Sequence, residues 1–168
     1  LKNYYRFVGD GAPWQVALAI KAGADVNAKD YVPIFEGKHA YATSKELTAM
    51  ELAAAYNPNP EVIKILAQAG AYFGKASIFP IEEIIDGITK PTPLMYAAKY
   101  NPNPEVIKTL IQLGVDVNRQ DAAGLTALMY AAGSHEFGDQ RSQIIKLLIE
   151  SGADITLRES KRIIEVDP

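Results

Sequence analysis

Cysteine is absent from the 168 residues, which removes disulfide frameworks, thiolate zinc sites and thiol nucleophiles together. Histidine is almost absent as well. His39 and His135 each stand without a second histidine at metal-ligand helical spacing, and His135-Glu136 reads as an exposed loop pair. No apolar run approaches the roughly 20 residues that a bilayer-spanning helix needs, so a soluble chain without membrane insertion is expected. Positive charge is not in excess: 17 Lys and Arg face 20 Asp and Glu, giving a net charge of −3 and a pI near 5.4. With no basic face to neutralise phosphates, nucleic acid is not an expected partner. An Asn-x-Ser/Thr glycosylation signal is missing too. What remains is 48% apolar and 22% charged, the balance of one folded domain. The chain opens on Leu1 and not on methionine, so it reads as trimmed, with any signal peptide already gone. A cysteine-free chain suits cytoplasm and periplasm alike, and the cytoplasm is slightly favoured.

One stretch occurs twice. Tyr56-Asn57-Pro58-Asn59-Pro60-Glu61-Val62-Ile63-Lys64 returns unchanged as Tyr100 through Lys108, so the polypeptide is built from copies of a unit. Glycine marks the copies: Gly23, Gly70, Gly114 and Gly152 each follow an apolar helical segment, where a left-handed terminator is expected. Pro13, Pro60 and Pro104 stand ten residues before three of them. Asn59 and Asn103 precede two of those prolines and read as N-caps, with proline at the first helical position. Between cap and glycine, Val106, Ile107, Leu110 and Ile111 share one stripe, matched by Ile144, Ile145, Leu148 and Ile149 and by Val62, Ile63, Leu66 and Ala67. Lys64, Lys108 and Lys146 take the opposite face, so these helices are amphipathic. A shorter helix precedes each of the last three, opening on Thr48, Thr92 and Thr126 and carrying paired alanines that allow close approach of a neighbour.

Thr-Pro-Leu-x-x-Ala-Ala from Thr92, a second helix, Gly114-Val115-Asp116-Val117-Asn118 and the turn Asp121-x-x-Gly124-x-Thr126 together resemble the ankyrin repeat family. The spacing from Thr92 to Thr126 is 34, one more than the family period of about 33, with the extra residue in the Asn-Pro-Asn-Pro turn. The resemblance runs from about Pro13 to Thr156. It implies an all-α solenoid of about four helix-turn-helix repeats with extended inter-repeat fingers, forming a single domain over 1–168. Within it, 1–27 is a divergent first repeat, 48–70 the second, 92–118 the third, 126–156 the fourth, and 157–168 a cap or tail. The Asn-Pro-Asn-Pro-Glu-Val variant is similar to bacterial ankyrin proteins.

Two fingers are too long for the repeat rule. Asn27 to Thr48 spans 21 positions where Asn118 to Thr126 spans 8. The first insert, Lys29 to Leu47, holds Tyr31, Ile34, Phe35 and Tyr41 around Glu36-Gly37 and is expected to form a longer hairpin. The second, Tyr72 to Pro91, has Ile81, Ile84 and Ile85 at helical spacing before Gly87, so a short extra helix is expected there. The apolar residues of the inserts, Tyr72, Phe73, Ile78 and Phe79 included, either bury against one another or form a partner patch. In the last repeat, Gly133 to Gln140 is expected to be the inter-helix loop.

Catalytic patterns are missing. Glu82, Glu83 and Asp86 are better read as the solvated face of a helix than as an acid–base pair or a calcium site. Gly70 to Ser77 has three residues between its glycines where a phosphate loop needs four, and it follows a helix and not a strand. No Gly-x-Ser-x-Gly elbow occurs. The chain is therefore expected to be neither an enzyme nor a binder of cofactor or metal.

The resemblance implies a scaffold that binds an unidentified protein through its concave face and finger tips. Carried over position by position, the two residues after the alanine pair are Ala55 and Tyr56, Lys99 and Tyr100, Gly133 and Ser134, with finger residues Ala122, Ala123 and Leu125. The first insert adds Phe35 and Tyr41. Tyr56 and Tyr100 then stand side by side on consecutive repeats, and tyrosine supplies rigid contact area with a polar tip. The competing reading packs each tyrosine on the adjoining Asn-Pro turn, while Tyr96 and Tyr130 are read as mainly structural. A monomer is expected. Two other classes stay open: a small-ligand or weakly enzymatic site between the enlarged fingers, and a self-assembling structural solenoid.

Overall fold

The structure, a computed structural model, describes residues 4–35, 42–74, 84–85, 88–134 and 138–158. In chain order these form α1 (Tyr4–Asp10), α2 (Pro13–Lys21), β1 (Lys29–Phe35), β2 (Ala42–Thr48), α3 (Ala49–Tyr56), α4 (Pro60–Gln68), β3 (Ile84–Ile85), β4 (Ile88–Thr89), α5 (Pro93–Tyr100), α6 (Pro104–Gln112), α7 (Ala127–Gly133) and α8 (Gly138–Glu150). Helices α1, α3, α5 and α7 pack in series as one row, α2, α4, α6 and α8 as a second, and each helix of one row packs on its partner in the other. Among the described residues the result is a stack of four helix pairs, with the strands in the fingers.

Local chemistry sets where each helix begins. Thr48 Oγ1 accepts from the Glu51 N–H at 3.2 Å while the Glu51 carboxylate accepts from the Thr48 N–H at 2.8 Å, a reciprocal capping box at the start of α3. Thr92 and Thr126 cap α5 and α7 through Met95 N–H and Met129 N–H, each at 3.3 Å. Asn59 and Asn103 accept from Glu61 N–H and Glu105 N–H, both at 3.0 Å, with Pro60 and Pro104 opening α4 and α6. At the other end Gly70 and Gly114 take φ of 85° and 87°, left-handed geometry that a side chain resists.

The core lies between the rows. Val62, Ile63, Leu66, Val106, Ile107, Leu110, Ile144 and Leu148 are buried from the second row, and Met50, Ala53, Ala54, Leu94, Met95, Ala97 and Ala98 from the first. Each fully buried Leu or Ile is worth about 1.5–3 kcal/mol, but only with a neighbouring pair stacked over it. The alanine pairs show this dependence: Ala98 is buried beneath the fourth pair, whereas its counterpart Ala132, with no later pair above it, is exposed.

The first finger is the hairpin its composition suggested, β1 and β2 pairing antiparallel from Lys29↔Thr48 to Phe35↔Ala42. The second corrects an expectation. Ile84 and Ile85 belong to a strand paired with Ile88–Thr89, in register Ile84↔Thr89 and Ile85↔Ile88, and not to a helix. Asp86-Gly87 is the dipeptide that favours two-residue hairpins, and this signal outweighs the helical spacing of the isoleucines. The last inter-helix loop is also shorter than expected, because Gly133 closes α7 and Gly138 to Gln140 already belong to α8.

Candidate partner-binding face

The first asparagine of each Asn-Pro-Asn-Pro block fixes the ends of the first-row helices. Asn101, 1% exposed, donates from Nδ2 to the carbonyls of Ala54 and Asn57, both at 2.9 Å, and accepts from the Asn103 N–H at 2.9 Å. Asn57 does the same one repeat earlier, reaching the Val8 and Gly11 carbonyls at 3.0 Å and accepting from Asn59 N–H at 2.9 Å. Each side chain thus satisfies orphan carbonyls at the end of the preceding first-row helix and ties adjacent repeats together. The sequence reading of these residues as turn formers missed this longer-range role.

That ladder holds the tyrosines in line. Tyr56 closes α3 and Tyr100 closes α5, their ring centroids 5.8 Å apart with planes tilted by 31°. One turn earlier on α5, Tyr96 lies 6.4 Å from Tyr100 in a stacked arrangement, interplanar angle 21°. Pairs of this geometry add about 0.5–1.5 kcal/mol beyond area burial. The Lys99 ammonium lies 4.8 Å from the Tyr100 ring centroid, a cation–π contact. Beyond it, Tyr130 on α7 donates its hydroxyl to Asp121 Oδ2 at 2.7 Å. Pro91, Met95, Tyr96, Lys99, Tyr100 and Tyr130 together line a shallow, open hollow with room for about 30 Å³.

Two phenols in this cluster resist ionisation. Burial pushes Tyr96 above its ordinary value, with the Glu51 carboxylate and the neighbouring tyrosines acting in the same direction. Burial likewise raises Tyr130, reinforced by its hydrogen bond to Asp121 and by that carboxylate's charge. At neutral pH the wall of the hollow is therefore uncharged, and Lys99 supplies the charge among its lining residues.

Other residues expected on this face are distributed unevenly. Tyr56 is 36% exposed, and Lys99 and Tyr100 are half-buried with one side open. Ala55 is fully buried, which corrects its assignment: the end of α3 turns it into the core. Ser134 is half-buried, donating to the Lys99 carbonyl at 3.4 Å and accepting from Arg141, so it serves the corner of the fourth repeat. Gly133 and Ala122 are exposed, and Ala123 and Leu125 are half-buried. Ala123 and Leu125 donate their N–H groups to Asp121 Oδ1 at 2.9 Å, which shapes the finger tip. Phe35 has its backbone in β1, with its side chain outside the described residues; Tyr41 and the candidate carboxylates and histidines Glu82, Glu83, Asp86, His39 and His135 also lie outside them. Tyr96 and Tyr130, read from sequence as structural, do pack, and they also form the back of the hollow. Tyr72 is half-buried, and its hydroxyl accepts from Arg119 at 3.1 Å. Phe73 packs against the core.

Among the described residues no group of three His, Asp or Glu could hold a metal ion, and no helix is long and apolar enough to cross a membrane. A family model described as ankyrin repeats, in three copies, matches residues 50–159. No curated protein matches the chain.

Proposed function

The chain belongs to the ankyrin-repeat family, whose members generally serve as protein–protein interaction modules, and from that premise we propose that it binds a partner protein along the tyrosine face. The observation that carries this reading is the Tyr56–Tyr100 pair, tilted rings with centroids 5.8 Å apart on successive repeats and Tyr56 36% exposed. Aromatic side chains with one face packed and one face open are the residues that dominate interface energies. Lys99 beside them and the finger residues Ala122, Ala123 and Leu125 extend the surface, with Ser134 at its margin; Phe35 and Tyr41 of the first finger are proposed as further contacts from the sequence alone. The protein acts here as a monomeric scaffold and performs no chemistry of its own.

Affinity capture from the source cell followed by mass spectrometry tests the assignment. A chain carrying Tyr56→Ala, Tyr100→Ala and Lys99→Glu is expected to lose the partner that the unaltered chain retains, with its circular dichroism unchanged. Capture of the same partner by both would contradict the assignment.

A further inference from the structure

We infer that the step between the second and third helix pairs is a hinge. The first two pairs rock against the last two, pivoting at the corner edge and opening at the finger edge. The sequence shows where this joint departs from the others. Four residues on from the helix-ending glycines stand Asn27, Gly74 and Asn118, and two on stand Asp25, Tyr72 and Asp116. The Asp-x-Asn pattern of the first and third pairs is thus Tyr-x-Gly in the second.

That pattern ties one pair to the next at the fingers. Asp25 Oδ1 accepts from the Asn27 N–H and Asp116 Oδ1 from the Asn118 N–H, both at 2.9 Å, which shapes each turn. Asn27 donates from Nδ2 to the Gly70 carbonyl at 3.2 Å and accepts from the Tyr72 N–H at 2.9 Å. Asn118 makes the same two bonds to the fourth pair, donating to the Gly152 carbonyl at 2.9 Å and accepting from the Asp154 N–H at 2.7 Å. Gly74 has no side chain with which to make them. The Asp116 N–H instead meets the Gly74 carbonyl at 3.4 Å, longer than a usual N–H···O bond. Beside it the Tyr72 hydroxyl accepts from Arg119 at 3.1 Å, a contact between two long side chains that can follow a rotation. Gly74 stands at φ 80°, a region glycine explores without the penalty a Cβ brings.

The corner edge of the same step is firmly held. Asn101 donates to the Ala54 and Asn57 carbonyls at 2.9 Å, and Asn103 to the Pro58 carbonyl at 2.6 Å. Rotation about this corner splays the finger ends of α3 and α5 while the corner bonds persist, the geometry of a hinge whose few loop residues absorb the change. Tyr56 closes α3 and Tyr100 closes α5, so their rings lie on opposite sides of the joint and their 31° tilt varies with it. The hinge rests on these bonds and stands whether or not the tyrosine face takes a partner.

Because the chain has no cysteine, nitroxide labels can be placed on introduced pairs. Lys21, Gln68, Gln112 and Glu150 occupy equivalent exposed positions at the finger ends of the second-row helices, and Glu61 and Glu105 at the corner ends of α4 and α6. The Gln68→Cys, Gln112→Cys pair is expected to give a wider interspin distance distribution than Lys21→Cys, Gln68→Cys or Gln112→Cys, Glu150→Cys. The Glu61→Cys, Glu105→Cys pair is expected to stay narrow. In the unlabelled chain, the Asp116 amide is expected to exchange its hydrogen about tenfold faster than those of Tyr72 and Asp154 after correction for sequence, the effect of about one net hydrogen bond. Fraying from the chain ends would make Asp116 the slowest of the three. Restoring the pattern with Tyr72→Asp and Gly74→Asn is expected to slow Asp116 and narrow the Gln68–Gln112 distribution. Equal widths at the three finger-edge pairs, a corner pair as wide as the finger pair, Asp116 slowest, or a folded restored variant with neither change overturns the hinge. The labelled pairs and the exchange order decide it even if the restored variant does not fold.

Discussion

The corners of the third and fourth repeats solve one problem with different residues. In the third, Asn101 sits in a three-residue link between α5 and α6 and reaches back to the Ala54 and Asn57 carbonyls. In the fourth, the link between α7 and α8 is longer, and Arg141, buried on α8, donates to the Ala131 carbonyl and to Ser134 Oγ, which itself donates to the Lys99 carbonyl. Both arrangements supply donors to carbonyls at the ends of first-row helices. A short side chain in a short link does so with no buried charge, while the long link needs a long side chain and brings a guanidinium into the interior. Repetition is therefore cheapest where the Asn-Pro-Asn-Pro spacing is kept, and the duplicated block is first of all a solution to backbone satisfaction.

The largest effect follows from breaking the regular corner. Asn101→Ala orphans two carbonyls and the Asn103 N–H, costing about 3 kcal/mol, or about 6–12 °C of melting temperature for a domain of this size. Calorimetry or thermal circular dichroism reads it directly, and a shift of a degree or less would show that water replaces the side chain. Arg141→Met should cost less. It orphans the Ala131 carbonyl but also removes the desolvation of a buried charge, so the net is about 1 kcal/mol, measurable as a smaller midpoint shift in urea. The smallest effect concerns the phenols. Tyr96 and Tyr130 have folded pKa values raised above the ordinary 10.0. Their native-state preference for the proton costs no stability below pH 10, and stability falls as pH climbs beyond it. Unfolding midpoints between pH 7 and 9 should be unaffected by these groups, with a decline above pH 10 that is smaller in a Tyr96→Phe, Tyr130→Phe variant.

The repeats were legible because their signals are local. Asn59-Pro60 and Asn103-Pro104 announce helix starts within two residues, Gly70 and Gly114 announce the ends, and the isoleucine and valine stripes give the buried face. The adjacency of Tyr56 and Tyr100 followed from register alone. What escaped was either long-range or contested. Asn57 and Asn101 make their decisive bonds to residues more than 40 positions away, so a local reading sees only turn formers. In the second finger, Ile81, Ile84 and Ile85 fit a helical period while Asp86-Gly87 fits a two-residue hairpin, and periodicity over so few residues is a weak discriminator. The hollow was half visible. Tyr96 and Tyr130 occupy positions that pack, and only the three-dimensional arrangement shows that packed rings also wall a surface cleft.

The proposed division of the duplicated block into an architectural asparagine and a partner-binding tyrosine is tested most directly by urea unfolding of two double variants. Asn57→Ala with Asn101→Ala is predicted to lower the midpoint far more than Tyr56→Ala with Tyr100→Ala. The reverse order would mean that the tyrosines hold the stack together, and would contradict the account.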